Sequence, residues 1–233
     1  MKTRRLLYLL MAVLIAQADL FAQEDAEPEV ESAKEGTRIG IGISGSTRGI
    51  GVDLGIGLSQ KFQLRLGGTY FQFDQDFVLD VEGQPFDMNA DVDMRSLQLL
   101  ADYYPFKGSS FKLTGGLAYH LNERYSVQGA YAGEEVFSMG EIVIEGEDVG
   151  TLGVDVTYEK LAPYAALGFG RAVPKGRVNF SFEIGSYYNS SPNVEINGTN
   201  MFSEMNSQSE QLEQNMKDYR FYPVMMFRLG FKI

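Results

Sequence analysis

The chain has 233 residues, a net charge of −11 and a hydrophobic content of 44%, which is typical of a folded protein. The negative charge disfavours binding to the phosphate backbone of nucleic acids. Cysteine is absent and there is one histidine, so the sequence excludes disulfides, thiolate metal sites, a cysteine nucleophile and sites with several histidines.

The N-terminus is typical of an export signal. It begins with three basic side chains, continues with an apolar run over 6–16 and ends in small residues at Ala18 and Ala22. The run is shorter than a membrane-spanning helix requires. We therefore predict a signal peptide over 1–22, an acidic tail over 23–36 and one folded domain over 37–233. An exported chain without cysteine points to a bacterial cell envelope.

The folded part alternates apolar and polar residues with the period of a β-strand. In residues 62–70, for example, Leu64 and Leu66 lie on one face, and Arg65 and Thr69 lie on the other. The pattern predicts eight strands, at 37–46, 48–59, 61–73, 93–105, 109–121, 160–171, 177–189 and 218–233. A soluble β-sandwich gives the same alternation. The strand length of about ten residues, the small residues of the polar faces and the aromatic strand ends favour a transmembrane barrel instead.

Connection lengths and charge predict how the barrel sits in the membrane. Short turns follow the second, fourth and sixth strands and lie on the periplasmic side, whereas the long loops lie outside the cell. With their flanks (74–93, 123–159 and 189–217), these loops carry twenty acidic residues and two basic ones, Arg124 and Lys217. The predicted fold class is all-β, an eight-stranded antiparallel transmembrane β-barrel with long external loops. We expect a monomer in the bacterial cell outer membrane, in contact with membrane lipid and lipopolysaccharide.

Three sequence blocks carry a resemblance to a known family: Ala101–Phe106, Leu161–Gly170 and Phe221–Lys232. The chain resembles, over about residues 38–233, a family of small Gram-negative outer-membrane β-barrel proteins that are similar in architecture to the OmpA, OmpX and OmpW barrels. The resemblance implies assembly by the barrel-assembly machinery and no catalytic residues. Such families usually end in an aromatic residue, whereas this chain ends in Ile233, with Phe231 two positions earlier.

Two features are typical of enzymes, and in both cases a structural interpretation is favoured. Residues 40–45 match the dinucleotide-binding pattern G-x-G-x-x-G, but the glycines continue at period two and no helix follows. His120 is the single histidine and lies on the inward face, with no serine close to it in the sequence. We expect no enzymatic activity and no cofactor.

A set of charged residues falls on the inward faces of the strands: Asp53, Arg65, Asp102, Lys112, Glu183, Arg220 and Arg228. Buried charges persist when they are paired. The set predicts a polar network that fills the barrel, and the alternative is a selectivity path for ions or small solutes. In the last loop, residues 203–217 are predicted to form a short amphipathic helix with a capping box from Ser207 to Glu210.

The acidic loops also suggest a cation-binding role. The candidate ligands form two groups, Asp74, Asp76 and Asp80 in one and Glu145, Glu147 and Asp148 in the other. Divalent cations prefer such oxygen ligands, although neither group matches a calcium-loop motif. Simple solvation of the loops is the alternative. The predicted function is a non-enzymatic outer-membrane protein with a structural or surface-interaction role; the alternative is a narrow channel or carrier for small solutes.

Overall fold

The computed structural model describes residues 38–81, 83–133, 136–139 and 142–233. The strands are β1 Arg38–Ser46, β2 Gly49–Gly57, β3 Phe62–Val81, β4 Gln84–Tyr103, β5 Phe111–Tyr131, β6 Val136–Met139, β7 Ile142–Glu145, β8 Thr151–Thr157, β9 Leu161–Phe169, β10 Val178–Tyr188, β11 Asn193–Gly198 and β12 Phe221–Lys232. The helices are α1 Gly146–Val149, a 3₁₀ helix Asn200–Gln208 and α2 Ser209–Met216. The predicted signal peptide and acidic tail lie outside the described residues.

Eight of the strands close into a ring of antiparallel neighbours. The order is β1-β2-β3-β4-β5-β9-β10-β12, and β12 pairs with β1 to complete the circle. Strand β5 is long enough to have two neighbours on one side. Its first half pairs with β9 inside the ring, and its second half pairs with β8, which in turn pairs with β11. Strands β3, β4, β5, β8 and β11 therefore form a wall that rises beyond one end of the ring.

The two faces of the ring have opposite chemistry, as the alternation predicts. Large apolar side chains on the outer face are exposed, among them Ile43, Leu66, Leu99, Leu117 and Phe227, with exposed fractions between 46% and 57%. The inner face instead buries charged side chains. This is the reverse of a water-soluble sheet protein, whose apolar side chains face inward.

Four features of the predicted organisation differ from the structure. The predicted loop 74–92 is the extended hairpin of β3 and β4, which pair up to Val81↔Gln84. The predicted loop 122–159 contains the second half of β5, β6 to β8 and α1. The short turn predicted between the sixth and seventh strands belongs to a longer connection, 170–177, in which Ala172 and Val173 are buried.

The helix of the last loop also differs from the prediction. Residues 200–208 are 3₁₀, α2 begins at Ser209, and no side-chain cap bond is formed at either helix start. The capping-box prediction is wrong, because the Ser207 hydroxyl donates to the Glu204 carbonyl instead. None of the described helices is both long and apolar enough to cross a membrane.

Candidate functional site inside the strand ring

Four charged side chains from four strands meet inside the ring. Arg65 of β3 donates to Asp102 of β4 and to Glu183 of β10, with N···O distances of 2.9 Å for both. The Lys112 ammonium of β5 lies 3.2 Å from Asp102 and 2.6 Å from Glu183. Each cation therefore contacts both anions, and we call Arg65, Asp102, Lys112 and Glu183 the ionic quartet.

The quartet satisfies the conditions under which buried charges are tolerated. All four residues are at most 3% exposed, and their formal charges cancel. The Thr114 hydroxyl adds a further bond to Asp102, at 2.7 Å. Removing two charges from water is costly, and this cost is offset only where pairing and hydrogen bonding are nearly complete. The inward charges of the sequence are thus explained as a mutually neutralising group that links four strands.

A second ion pair lies next to the connection between β9 and β10. Arg228 of β12 binds Asp53 of β2 through two bonds of 2.7 Å, and its guanidinium also contacts the Arg171 carbonyl at 3.5 Å. The connection turns inward at this end: Ala172 is fully buried and its N–H donates to the Tyr104 hydroxyl at 3.2 Å. The ring is therefore filled by its own chain at the end with short connections.

An apolar layer lies beside the quartet. It consists of Leu100, Ala118, Ala162, Tyr164, Ala166, Tyr187, Val224 and Met226. The Tyr164 and Tyr187 rings stack with their centroids 4.6 Å apart. These side chains contribute no ligand-binding charge, and they separate the quartet from the polar residues nearer the long loops.

A third charged group occupies the end of the ring near the long loops. Arg48, in the two-residue turn between β1 and β2, is 1% exposed and forms a two-point ion pair with Glu123 of β5, in which Nη1 lies 3.0 Å from Oε1. Glu123 also accepts from the Tyr125 hydroxyl, at 2.9 Å, and its Oε2 lies 3.3 Å from His120 Nδ1. His120 lies between this pair and Asn189, with Nδ1 3.3 Å from Arg48 and Nε2 3.2 Å from the Asn189 amide oxygen. We call Arg48, His120, Glu123 and Asn189 the upper cluster.

The sequence analysis did not predict the upper cluster, because it treated Glu123 as an acid of an external loop and did not consider Arg48, which lies in a turn. The β4–β5 register shifts at Arg95/Ser96, where Ser96 pairs with His120 and Arg95 pairs with Asn122. The extra residue moves Glu123 onto the inner face, although alternation from Lys112 through His120 would place it outside.

The enzyme-like features have structural explanations. Gly40, Gly42 and Gly45 lie within β1, so no helix follows the glycine pattern and the dinucleotide interpretation is wrong. A side chain at Gly42 would collide with the Arg228 guanidinium, which explains the glycine there. The His120 imidazole contacts an amide, an arginine and a carboxylate, and none of its described hydrogen bonds or ion pairs is to a serine hydroxyl.

A small cavity lies among the inward-facing residues of the ring. A cavity of about 20 Å³ is lined by residues that include Asp53, Arg65, Thr69 and Gln98. That volume holds about one water molecule. The arrangement of the interior therefore suits a packed polar core, and the described residues leave no passage of solute size at this cavity.

Other predicted site residues lie apart from these clusters. Arg220 lies before β12 and outside the interior network, because its guanidinium binds the Tyr188 hydroxyl at 3.3 Å and the Ser191 hydroxyl at 2.6 Å. Its assignment to the inner network is wrong.

The predicted cation ligands are not gathered into a site. Asp74 and Asp76 share the Asn89 amide, at 2.8 Å each, and Asp80 accepts from the Gly83 N–H at 2.8 Å. Glu145 ends β7, and residues 147 and 148 lie in α1. Among the described residues, no three acidic or histidine side chains lie close enough together to hold a metal ion. The cation hypothesis therefore has no assembled site in the described part of the chain.

Comparison with solved structures identifies the fold. Acinetobacter baumannii CarO has a TM-score of 0.57 at 20% identity, with 82% of this chain and 96% of that chain covered. Acinetobacter baumannii CarO2 has a TM-score of 0.59 at 19% identity, with 85% and 100% covered. A major outer membrane protein from Thermus thermophilus aligns over 85% of this chain and 100% of that chain, at 12% identity and a TM-score of 0.40. No protein-family model matches the sequence, and no curated protein matches it.

The likeness to CarO and CarO2 is one of fold. Over most of its length, this chain shares their antiparallel strand architecture. The closer resemblance to the OmpA, OmpX and OmpW barrels stays a prediction.

Proposed function

We propose that the chain is an eight-stranded barrel of the bacterial outer membrane, with a structural or surface-interaction role and no catalytic one. The observation that carries the proposal is the reversal of faces: exposed Ile, Leu, Val and Phe side chains surround the ring, and the ionic quartet is buried within it. In water this arrangement would expose a large apolar surface, whereas in lipid it is the favourable one. The barrel is a monomer, contacts lipid and lipopolysaccharide, and is inserted by the barrel-assembly machinery.

The orientation follows from the connections. The short ones, including 58–61 and the inward 170–177, belong on the periplasmic side, and the wall formed by β3, β4, β5, β8 and β11 belongs outside the cell. The continuous apolar outer face ends at Tyr70; beyond it the same face of the β3–β4 hairpin is mostly acidic, with Asp74, Asp76, Asp91 and Asp93 beside the single exposed Val78. This change from apolar to acidic is expected where a strand leaves the membrane.

Conductance distinguishes a packed barrel from a narrow channel. The protein, folded into liposomes, is first tested for insertion by protease protection of the strands. Planar-bilayer recording then compares the native chain with a variant in which Arg171, Ala172, Val173 and Pro174 are replaced by glycine, and with the control Lys107→Gln in another short connection. We expect no steady conductance from the native chain, the control or the glycine variant, since the ionic quartet and the apolar layer fill the interior apart from the connection. Steady steps from the native chain that change in Arg65→Gln would instead support the channel. A protein that stays soluble without detergent would contradict the membrane assignment itself.

A further inference from the structure

The rising wall has one open edge. Strand β2 pairs with β3 only as far as Ile50↔Tyr70, whereas β3 continues to Val81. Within the described residues, the part of β3 beyond Tyr70 pairs with β4 on one side and with no strand on the other. An unpaired strand edge presents a row of N–H and C=O groups to any chain that can lie beside it.

Alternation within β3 shows which groups face the open side. The Phe62 carbonyl accepts from Leu58, toward β2, and the Lys61 carbonyl accepts from Tyr104, toward β4. In an antiparallel strand successive residues direct their backbone groups to opposite sides. The even-numbered residues from Gln72 to Asp80 therefore direct theirs to the open edge. The Asp76 carbonyl has one local contact there, from the exposed Gln75 amide at 3.1 Å.

The opposite edge of the same wall is covered. On β11, the N–H of Val194 donates to Glu213 of α2 at 3.4 Å, and the N–H of Ile196 donates to the Ser209 hydroxyl at 3.0 Å. The Asn206 side chain accepts from the N–H of Gly198 and donates to its carbonyl. One edge of the wall is thus capped by helix side chains and the other is left open.

The side chains on the two faces of β3 beside the open edge indicate which kind of strand could pair with it. Asp74, Asp76 and Asp80 lie on one face. Phe77 and Leu79 lie on the other and are each 45% exposed. A strand added here would place alternate side chains beside the acids and beside the apolar residues. Charge complementarity requires basic residues on the first set and apolar residues on the second.

We propose that residues 72–80 of β3 are a docking edge for an extended segment of another protein, in which basic and apolar residues alternate. The external location of this edge rests on the proposed function, but the pairing itself does not. A second copy of this chain is a poorer occupant, because its own 72–80 segment carries the same three acids. Side-by-side copies would place like charges opposite one another.

The test uses a labelled decapeptide of alternating Lys and Val and the detergent-folded full chain, with binding followed by fluorescence anisotropy. Two further peptides are N-methylated, one at every Lys and one at every Val. In a strand only alternate amides face the edge, so one methylated peptide should bind at least about tenfold more weakly and the other should bind like the parent. An alternating Glu and Val peptide should not bind.

Variants locate the contact. Val78→Pro removes an edge-facing N–H without removing a β3–β4 bond, and it should abolish binding, whereas Val78→Thr keeps that N–H and should bind normally. Amide exchange should slow at 72–80 when peptide is added.

Equal binding of both methylated peptides, or unchanged exchange at 72–80, would overturn the proposal in favour of simple charge attraction. Self-association of the chain without peptide, lost in Val78→Pro, would also overturn it, in favour of a second copy as occupant. Liposome insertion is scored separately, so failure of the membrane proposal is recognised independently.

Discussion

Arg48 lies in the two-residue turn between β1 and β2, yet its guanidinium is buried and makes a two-point ion pair with Glu123, which is 75 positions away. Turn residues are ordinarily exposed. Arg48 is covered because the β1–β2 hairpin is short and its neighbours continue beyond it. The Tyr187 and Tyr222 rings lie 4.8 Å and 5.2 Å from the Arg48 guanidinium carbon and complete its surroundings.

The Arg48–Glu123 pair should be a stabilising element that depends on both partners. Arg48→Met leaves a buried carboxylate whose described partners are Tyr125 and His120, so we expect a loss of about 3–5 kcal/mol in the free energy of unfolding. The double variant Arg48→Met with Glu123→Gln should lose clearly less than the sum of the single losses, because no buried charge is left unpaired. Urea unfolding in lipid vesicles, followed by circular dichroism, measures the free energy of unfolding of the native chain, both single variants and the double variant. Strict additivity would show that the two side chains act independently.

The ring and its faces were predictable from the sequence, whereas the upper cluster was not. Alternation assigns Arg65 inward and Leu66 outward correctly, because successive side chains of a strand point to opposite faces of the sheet. Glu123 was missed since the shift beside Arg95 and Ser96 changes the parity of β5, and a bulge leaves no signal in composition. Arg220 was wrongly placed inside because the alternation was extended one residue beyond the start of β12 at Phe221. Residues 74–92 were predicted to be a loop because the outer face of this strand extension is acidic rather than apolar.

The outer face should be intolerant of charge in proportion to its contact with lipid. Leu117 of β5 is 46% exposed on the apolar outer face. Leu117→Lys should lower the free energy of unfolding by roughly 2–4 kcal/mol if the position lies near the membrane midplane, since a charge there must leave water. Unfolding measured in vesicles against the control Leu117→Phe provides the test. A Lys variant as stable as the Phe variant would mean that this face does not contact lipid.

The neighbouring position gives a complementary test. Ala118 is fully buried inside the ring, so Ala118→Lys should lower the free energy of unfolding, because the larger side chain does not fit and its charge is unpaired. This loss should be the same in detergents of any chain length, whereas the loss caused by Leu117→Lys should vary with membrane thickness. Similar dependence on thickness for both variants would contradict the inward assignment of Ala118.

The contribution of the ionic quartet to stability should depend more on its net charge of zero than on any single hydrogen bond within it. Glu183→Gln leaves Arg65 and Lys112 with Asp102 as the remaining anion of the quartet, which we expect to cost about 3–5 kcal/mol. Adding Lys112→Met restores neutrality and should recover part of the loss. Glu195→Gln, an exposed acid on β11, is the control and should change stability by no more than about 0.5 kcal/mol. A double variant less stable than Glu183→Gln alone would show that individual bonds matter more than balance.

The capped edge of β11 should protect its amides through side chains of the last loop. Asn206 bonds both backbone groups of Gly198, and Ser209 accepts from the N–H of Ile196. Asn206→Ala with Ser209→Ala should therefore speed amide exchange at Gly198 and Ile196 by about tenfold or more, since each lost bond contributes about 1 kcal/mol or somewhat more. Exchange on β3 from 72 to 80 should not change, because that edge lies on the far side of the wall. Gln211→Ala, in the same helix as Ser209 but bonded to Asn215, is the matched control and should leave β11 protected. Faster exchange throughout the wall would mean that the double variant unfolds the loop rather than uncovering one edge.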